Sequence, residues 1–215
     1  IKPQLTFLAA AALFLAALRE RRWKLFIGFG SVLGFFIALS APFAVTPRQI
    51  FGGGLAQHLE MYLAHTSTLW GLSLTIFPDA LWLPALSSGL LLLWLVYLWL
   101  DGFKSGRWRE RLLYLIGLST IVNLVILPYS WFYNQAVLIF PVFYAVDRLR
   151  RLAGMARALW VVTLVVVVYF LPTAVDAALT RIYISEVYQV VPILALLPLV
   201  VLLQRQTERS SKPAN

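Results

Sequence analysis

Seven apolar stretches, each near the length that crosses a bilayer, follow one another along the chain. A helix needs about 20 apolar residues to span the hydrocarbon core of a membrane. Helices are expected because backbone groups in lipid must be satisfied within their own segment, and the runs lack the alternation of a barrel strand. The pattern predicts an all-α, polytopic transmembrane helical bundle, a single domain over 1–203 with spans at 3–18, 25–45, 81–100, 112–128, 133–147, 158–175 and 187–203.

The composition agrees with a membrane protein. Of the 215 residues, 61% are hydrophobic and 13% are charged, and the mean hydropathy is +0.82. A soluble domain typically has about 25% charged residues, and a globule of this length has too little interior to hide so much apolar surface. The chain has no cysteine, which excludes a disulfide framework and a thiolate metal site.

Basic residues recur on alternate connections between the apolar stretches. All but three of the 18 lysines and arginines lie in the first, third and fifth connections or in the tail. By the positive-inside rule these connections and the C-terminus are cytoplasmic, and the N-terminus of the chain is extracytoplasmic. We therefore expect a multi-pass protein of the cytoplasmic membrane with a disordered basic tail at 204–215. The three exceptions are Lys2, Arg48 and Arg181.

The net charge of +9 follows from these membrane-flanking clusters. Nucleic-acid binding requires a basic face on a soluble element. Here the basic residues border apolar helices, so no nucleic-acid partner is expected. Attraction to anionic headgroups of the lipid bilayer is the favoured interpretation.

The first outer connection, 46–80, is too long for a simple turn, since loops beyond about 15 residues usually contain structure or function. After a run of three glycines, apolar residues repeat at a spacing of three to four, which predicts an interfacial helix with a polar face. A second short element is predicted at 70–78. The polar face carries the outer-loop site candidates His58, Glu60 and His65.

A metal site on that face is not favoured. His58 and His65 are seven residues apart, which places their side chains about 10 Å apart on a helix. Zinc ligands must each lie about 2 Å from the ion. A solvated polar face is the preferred interpretation, and no metal and no cofactor are expected.

A second polar cluster lies at 128–135, in a short outer connection. Tyr and Trp favour membrane interfaces, and Pro128 ends a helix. Asn134 and Gln135 are costly in contact with lipid, so they should face the bundle interior or a polar cavity. Binding function and helix capping or packing both remain open for them. Lys2, at the outer end of the first span, has two open roles: snorkelling to the headgroups or pairing with a phosphate.

Three segments together resemble a known family. Lys2-Pro3-Gln4, opening a span that closes with 19–24, resembles the K-P-Q helix and following R-R-W of the GT-C membrane glycosyltransferases of family 87. Thr68-Leu69-Trp70-Gly71-Leu72 resembles their next outer-loop segment. Pro128-Tyr129-Ser130-Trp131 and Tyr133-Asn134-Gln135 resemble their later P-x-S-W-x-(H/Y)-D motif. The three occur in the family's order over 2–135.

The resemblance implies transfer of a hexose, mannose above all, from a polyprenyl-phosphate donor to a glycolipid or glycan acceptor on the extracytoplasmic face. It implies donor-phosphate binding by Lys2 and Gln4. It also implies sugar or acceptor binding by the later motif, that is by Tyr129, Ser130, Trp131, Tyr133, Asn134 and Gln135.

The chain departs from the family in its catalytic residues. The family's usual general base is an acidic residue in an outer loop well before the K-P-Q helix, so the chain is expected to be a fragment, the C-terminal half of such an enzyme. It also has Phe132, Tyr133 and Asn134 where the family often has Asp or His. Neutral Asn134 can hydrogen-bond a sugar but cannot act as a base, and the catalytic base stays unknown.

Two other classes remain open. A transporter or channel commonly needs ionisable residues at mid-membrane depth, and the spans have few, with Asn123 the best polar candidate. A non-catalytic membrane subunit of a larger complex is favoured by the missing carboxylate loop. The chain has no P-loop, no G-x-S-x-G elbow and no H-E-x-x-H motif, whose chemistry would have indicated other enzymes.

Overall fold

The computed structural model describes 6–40, 66–106, 108–128, 132–155 and 190–210, and single residues at 63, 130, 157, 160, 161 and 163. This part of the chain is helical and contains no strand, which confirms the all-α prediction. Its helices are α1 (Phe7–Arg19), α2 (Trp23–Ser40), α3 (Leu69–Ile76), α4 (Trp82–Lys104), α5 (Trp108–Ile126), a 3₁₀ helix (Phe132–Leu138), α6 (Ile139–Ala153) and α7 (Val190–Ser210).

Helix α5 forms the centre of the described bundle. It packs against α1, α4, α6 and α7, and its end contacts the 3₁₀ helix and α3. Its apolar side chains surround the helix, and several are fully buried, among them Leu118, Ile121 and Val122. A helix that is apolar on all sides needs to be buried in protein or in lipid, and in α5 the neighbouring helices provide most of this burial.

Small polar side chains inside α5 are paired. Ser119 Oγ donates to the Leu115 carbonyl at 2.6 Å and accepts from Trp99 Nε1 at 3.1 Å. Thr120 Oγ1 donates to the Ile116 carbonyl at 2.9 Å. A buried hydroxyl without a partner is destabilising, so these bonds allow polar groups in the core and join α4 to α5.

Two of the described helices are long and apolar enough to cross a membrane. They are α4, with 23 residues, and α7 over Val190–Glu208. Leu90, Leu93 and Tyr97 on α4 are each more than half exposed, as expected for a surface that meets lipid. Helix α1 and the Trp23–Phe36 part of α2 are apolar but shorter.

The other apolar segments overlap described helices to different degrees. Those at 3–18, 25–45 and 112–128 overlap α1, α2 and α5, while 3–5 and 41–45 lie outside the described residues. The span at 133–147 begins as a 3₁₀ helix and becomes α-helical at Ile139. Most of the span at 158–175, and the interfacial helix expected near 51–62, lie outside the described residues. The second short element of the outer connection is helical, as α3.

The C-terminal end differs from the prediction. Disorder was expected from 204, but α7 continues to Ser210, so that prediction is wrong for 204–210. The reason is a polar network at this end of the bundle. Glu208 pairs with Arg111 of α5, and Gln204 accepts a hydrogen bond from Tyr144 of α6 at 2.5 Å. Ordering the last turns is favourable because these side chains have partners on other helices.

Candidate functional site

The two polar segments singled out in the sequence meet where α5 ends. The backbone N–H of Ser67 donates to the Ser130 carbonyl at 3.2 Å. The two segments that this bond joins contain six buried polar residues, each at most 5% exposed. We call them the polar junction: Thr66, Ser67, Thr68, Ser130, Asn134 and Gln135.

Thr68 sets the start of α3. It has extended backbone angles, and its Oγ1 accepts from the backbone N–H of Trp70 at 3.2 Å. This is the N-cap role for which threonine is favoured. Thr66 Oγ1 lies 2.8 Å from Thr68 Oγ1 and donates to the Leu63 carbonyl at 3.2 Å. The hydroxyls therefore fix the chain as it enters α3.

Trp70 holds α3 against the end of α5. Its indole Nε1 donates to the Ile126 carbonyl at 3.1 Å. Ile126 is the last residue of α5, and the last carbonyls of a helix have no partner within the helix. The indole satisfies one of them, and this places the start of α3 beside the second polar segment.

Gly71 allows the close approach within this turn. A Cβ at this position would overlap the Thr66 carbonyl oxygen and lie 2.9 Å from its carbonyl carbon. Only glycine fits here. Thus Thr68, Trp70 and Gly71 of the segment that resembles the glycosyltransferase motif each have a structural role in building the junction.

The second segment contributes two amides. Asn134 Nδ2 donates to Ser130 Oγ at 3.3 Å. Gln135 is 5% exposed, and neither its side-chain oxygen nor its nitrogen has a hydrogen-bond partner among the described residues. Leaving a buried polar group unpaired costs about 1–3 kcal/mol. The Gln135 amide is therefore the group in the junction that can still form hydrogen bonds with a ligand.

The structure brings together some of the predicted site residues. Ser130, Asn134 and Gln135 belong to the junction, and Tyr133 lies on the 3₁₀ helix with only its backbone described. The remaining candidates lie outside the described residues: Lys2, Gln4, His58, Glu60, His65, Tyr129 and Trp131.

Thr66 and Ser67 were not predicted as site residues. A run of small hydroxyl residues before an apolar segment is an N-cap signal, and it was available in the sequence. Their burial was not, because it depends on the bond to Ser130, which lies 63 positions further along the chain than Ser67.

The chemistry of the junction is neutral. Its side chains are hydroxyls and amides, which donate and accept hydrogen bonds but carry no charge. Such a set suits a polar, uncharged ligand with hydroxyl groups. In the part of the chain that the structure describes, no three His, Asp or Glu side chains are grouped as metal ligands require. Comparison with family models, curated proteins and solved structures gave no match.

Proposed function

We propose that this chain is part of an integral-membrane glycosyltransferase that transfers a hexose, mannose first among them, from a polyprenyl-phosphate donor to a glycolipid or glycan acceptor. The observation that carries the proposal is the buried, unpaired amide of Gln135. It lies in a neutral polar junction built by the two outer segments that resemble GT-C enzymes.

The amide fits a sugar better than it fits a phosphate. Gln135 offers both a donor and an acceptor, and a sugar hydroxyl does the same, so one ligand satisfies both atoms. A phosphate accepts but hardly donates, and would leave the amide oxygen unpaired. In this proposal the junction holds the sugar or acceptor, while Lys2 and Gln4 stabilise the departing lipid phosphate.

The proposed membrane placement has seven spans, with the junction on the extracytoplasmic side of the cytoplasmic membrane. Two features support it. Helices α4 and α7 are long and apolar enough to cross a bilayer. The charged Arg111 network lies near the start of α5, and the neutral junction lies at its end, about 23 Å away for the 15 residues of helix from Arg111 to Ile126.

A second candidate is a non-catalytic membrane subunit. General-base catalysis of glycosyl transfer requires a group that takes the acceptor's proton. No member of the polar junction is a carboxylate or a histidine. If no upstream segment supplies that base, the junction binds a glycan without transferring it.

The test is a transfer assay on the full-length protein in membranes, with polyprenyl-phosphate mannose as donor. Gln135→Leu keeps the volume and removes both polar atoms. We expect it to abolish transfer and to raise the melting temperature, because it removes an unpaired buried amide. Gln206→Leu, at an exposed position of α7 outside the junction, is the matched control and should retain transfer.

The outcomes separate the two candidates. Loss of transfer in Gln135→Leu and in Lys2→Ala, with normal amounts of protein, supports the enzyme. Unchanged transfer in both variants refutes it. Absence of transfer in the wild type, together with binding of mannosyl lipid that Gln135→Leu abolishes, supports the non-catalytic subunit.

A further inference from the structure

The turn between α1 and α2 contains a backbone feature that its sequence disfavours. Arg22 N–H bonds to the Ala17 carbonyl at 2.9 Å and Arg21 N–H to the Leu18 carbonyl at 3.1 Å, which is the Schellman pattern of a helix C-terminus. In that pattern the residue after the cap is left-handed and is usually glycine. Here it is Arg21, with φ of 53°.

The left-handed conformation is unfavourable for a residue with a Cβ. Such strain persists where the side chain has a role that outweighs it. The conformation places Arg21 at an open cavity of about 430 Å³, lined by Arg21, Arg22, Trp23, Lys24 and Leu25. The residue with the unusual backbone conformation therefore also lines the cavity.

The cavity has unbalanced positive charge. Arg22 is paired with Glu20 at 2.5 Å. Among the described residues, no carboxylate lies within ion-pair distance of Arg21 or Lys24. Arg19, the remaining cation of this turn, lies over the ring of Phe103 at 5.5 Å. Helix α2 begins at the same place without an acidic residue in its first turn, and a helix N-terminus also attracts anions.

An apolar surface continues from this charged cavity. Trp23, Leu25 and Ile27 are each more than half exposed, and so are Phe35 and Phe36 further along α2. Helix α2 contacts α1, and nearly all of its described side chains are exposed. A cationic cavity that opens onto an exposed apolar helix matches a molecule with an anionic head and hydrocarbon chains.

We infer that the α1–α2 turn is a binding site for an anionic phospholipid. The lipid phosphate lies in the cavity between Arg21 and Lys24, and an acyl chain lies along Leu25, Val32 and Phe36, which share one exposed face of α2. Trp23 has the amphipathic ring that is typical of the headgroup level. The inference rests on the membrane placement given under the proposed function, and it is independent of glycosyl transfer.

The experiment measures lipid-dependent stabilisation of the purified full-length protein, without any sugar donor. Melting temperatures are compared in phosphatidylcholine vesicles, in vesicles with added phosphatidylglycerol, and in phosphatidylcholine with inorganic phosphate. We expect phosphatidylglycerol to raise the melting temperature of the wild type and inorganic phosphate to leave it unchanged. Equal stabilisation by inorganic phosphate would overturn a lipid site in favour of a small-anion site.

Variants assign the effect to residues. Arg21→Gly keeps the left-handed backbone and removes the charge, Lys24→Gln removes the second cation, and Arg21→Lys keeps a positive charge. We expect the first two each to lose at least half of the phosphatidylglycerol shift and the third to retain most of it. Arg150→Gln with Arg151→Gln, at the exposed end of α6, is the matched control and should keep the full shift.

A full shift in both Arg21→Gly and Lys24→Gln, or an equal loss in the α6 control, would overturn the site, because the effect would then come from net charge. The glycosyltransferase proposal survives either result, since its assay depends on the polar junction. Conversely, a protein without transfer activity that still shows the selective shift supports the lipid site alone.

Discussion

Arg111 and Glu208 form a two-point ion pair across 97 residues of sequence. Arg111 Nε donates to Glu208 Oε1 at 2.7 Å, and a terminal guanidinium nitrogen donates to Oε2 at 3.0 Å. The other terminal nitrogen donates to Asp101 at 2.6 Å. Burial alone lowers the pKa of Arg111, but the bonds and charges of Glu208 and Asp101 outweigh it and raise the pKa. The guanidinium, which is charged as in arginines generally, joins α4, α5 and α7.

Removing this guanidinium should destabilise the bundle. In Arg111→Leu, Glu208 and Asp101 lose their shared partner, and bonds to charged groups contribute about 1.5–3 kcal/mol. We expect a loss of that size in the free energy of unfolding, measured by denaturant titration in detergent. Arg151→Leu is the control, because its side chain is 63% exposed beside Asp147 and a surface pair contributes about 0–1 kcal/mol. Equal losses in the two variants would contradict the role of Arg111.

A Cβ at Gly71 should disrupt the polar junction. Gly71→Ala forces the new methyl group into the Thr66 carbonyl, and overpacking of this kind costs about 1–3 kcal/mol. Gly89→Ala in α4 is the control, because a Cβ there meets nothing within 4 Å. Alanine is a better helix former than glycine by about 1 kcal/mol, so the control should raise the melting temperature while Gly71→Ala lowers it. The same direction of change in both would contradict the close approach.

The indole hydrogen bond of Trp70 is open to a conservative test. Trp70→Phe retains an aromatic ring but leaves the Ile126 carbonyl without its donor, which should cost about 1 kcal/mol. Protection of the α3 backbone from hydrogen exchange should fall more than protection of the α5 core. Trp82→Phe, at a side chain 64% exposed, should change neither quantity. Unchanged exchange in α3 after Trp70→Phe would show that the bond does not hold this helix in place.

Local sequence patterns predicted that the chain is helical, whereas pairings between residues distant in sequence determine where α7 ends. The all-α character follows from apolar runs, and the burial of Asn134 and Gln135 follows from the cost of amides in lipid. The extension of α7 past 203 does not follow, because Arg205, Arg209 and Lys212 near the end predict a solvated tail. It becomes favourable only because Glu208 reaches Arg111 on another helix.

The polar junction likewise combines residues that local sequence predicts with residues that only the tertiary contacts identify. Ser130 and the two amides were predicted from their own segment and from a family resemblance. Their neighbours Thr66 and Ser67 were not, since one backbone bond between Ser67 and Ser130 joins the segments and no local pattern encodes it. The unpaired state of Gln135 likewise depends on which groups surround it in three dimensions.

Two of the helix ends with positive φ, at Arg21 and Gly154, predict stability changes of opposite sign. At Arg21, with φ of 53°, glycine relieves the clash of a Cβ in the left-handed region, so Arg21→Gly should stabilise the folded protein by about 1 kcal/mol. At Gly154, with φ of 86° and ψ of 165° at the end of α6, the backbone lies in a region almost exclusive to glycine, so Gly154→Ala should destabilise the folded protein by about 1–3 kcal/mol. Denaturant titration in detergent without anionic lipid isolates the backbone effect. A loss of stability in Arg21→Gly under these conditions would mean that the arginine stabilises the fold itself, which would contradict its role as a strained residue kept for an external anion.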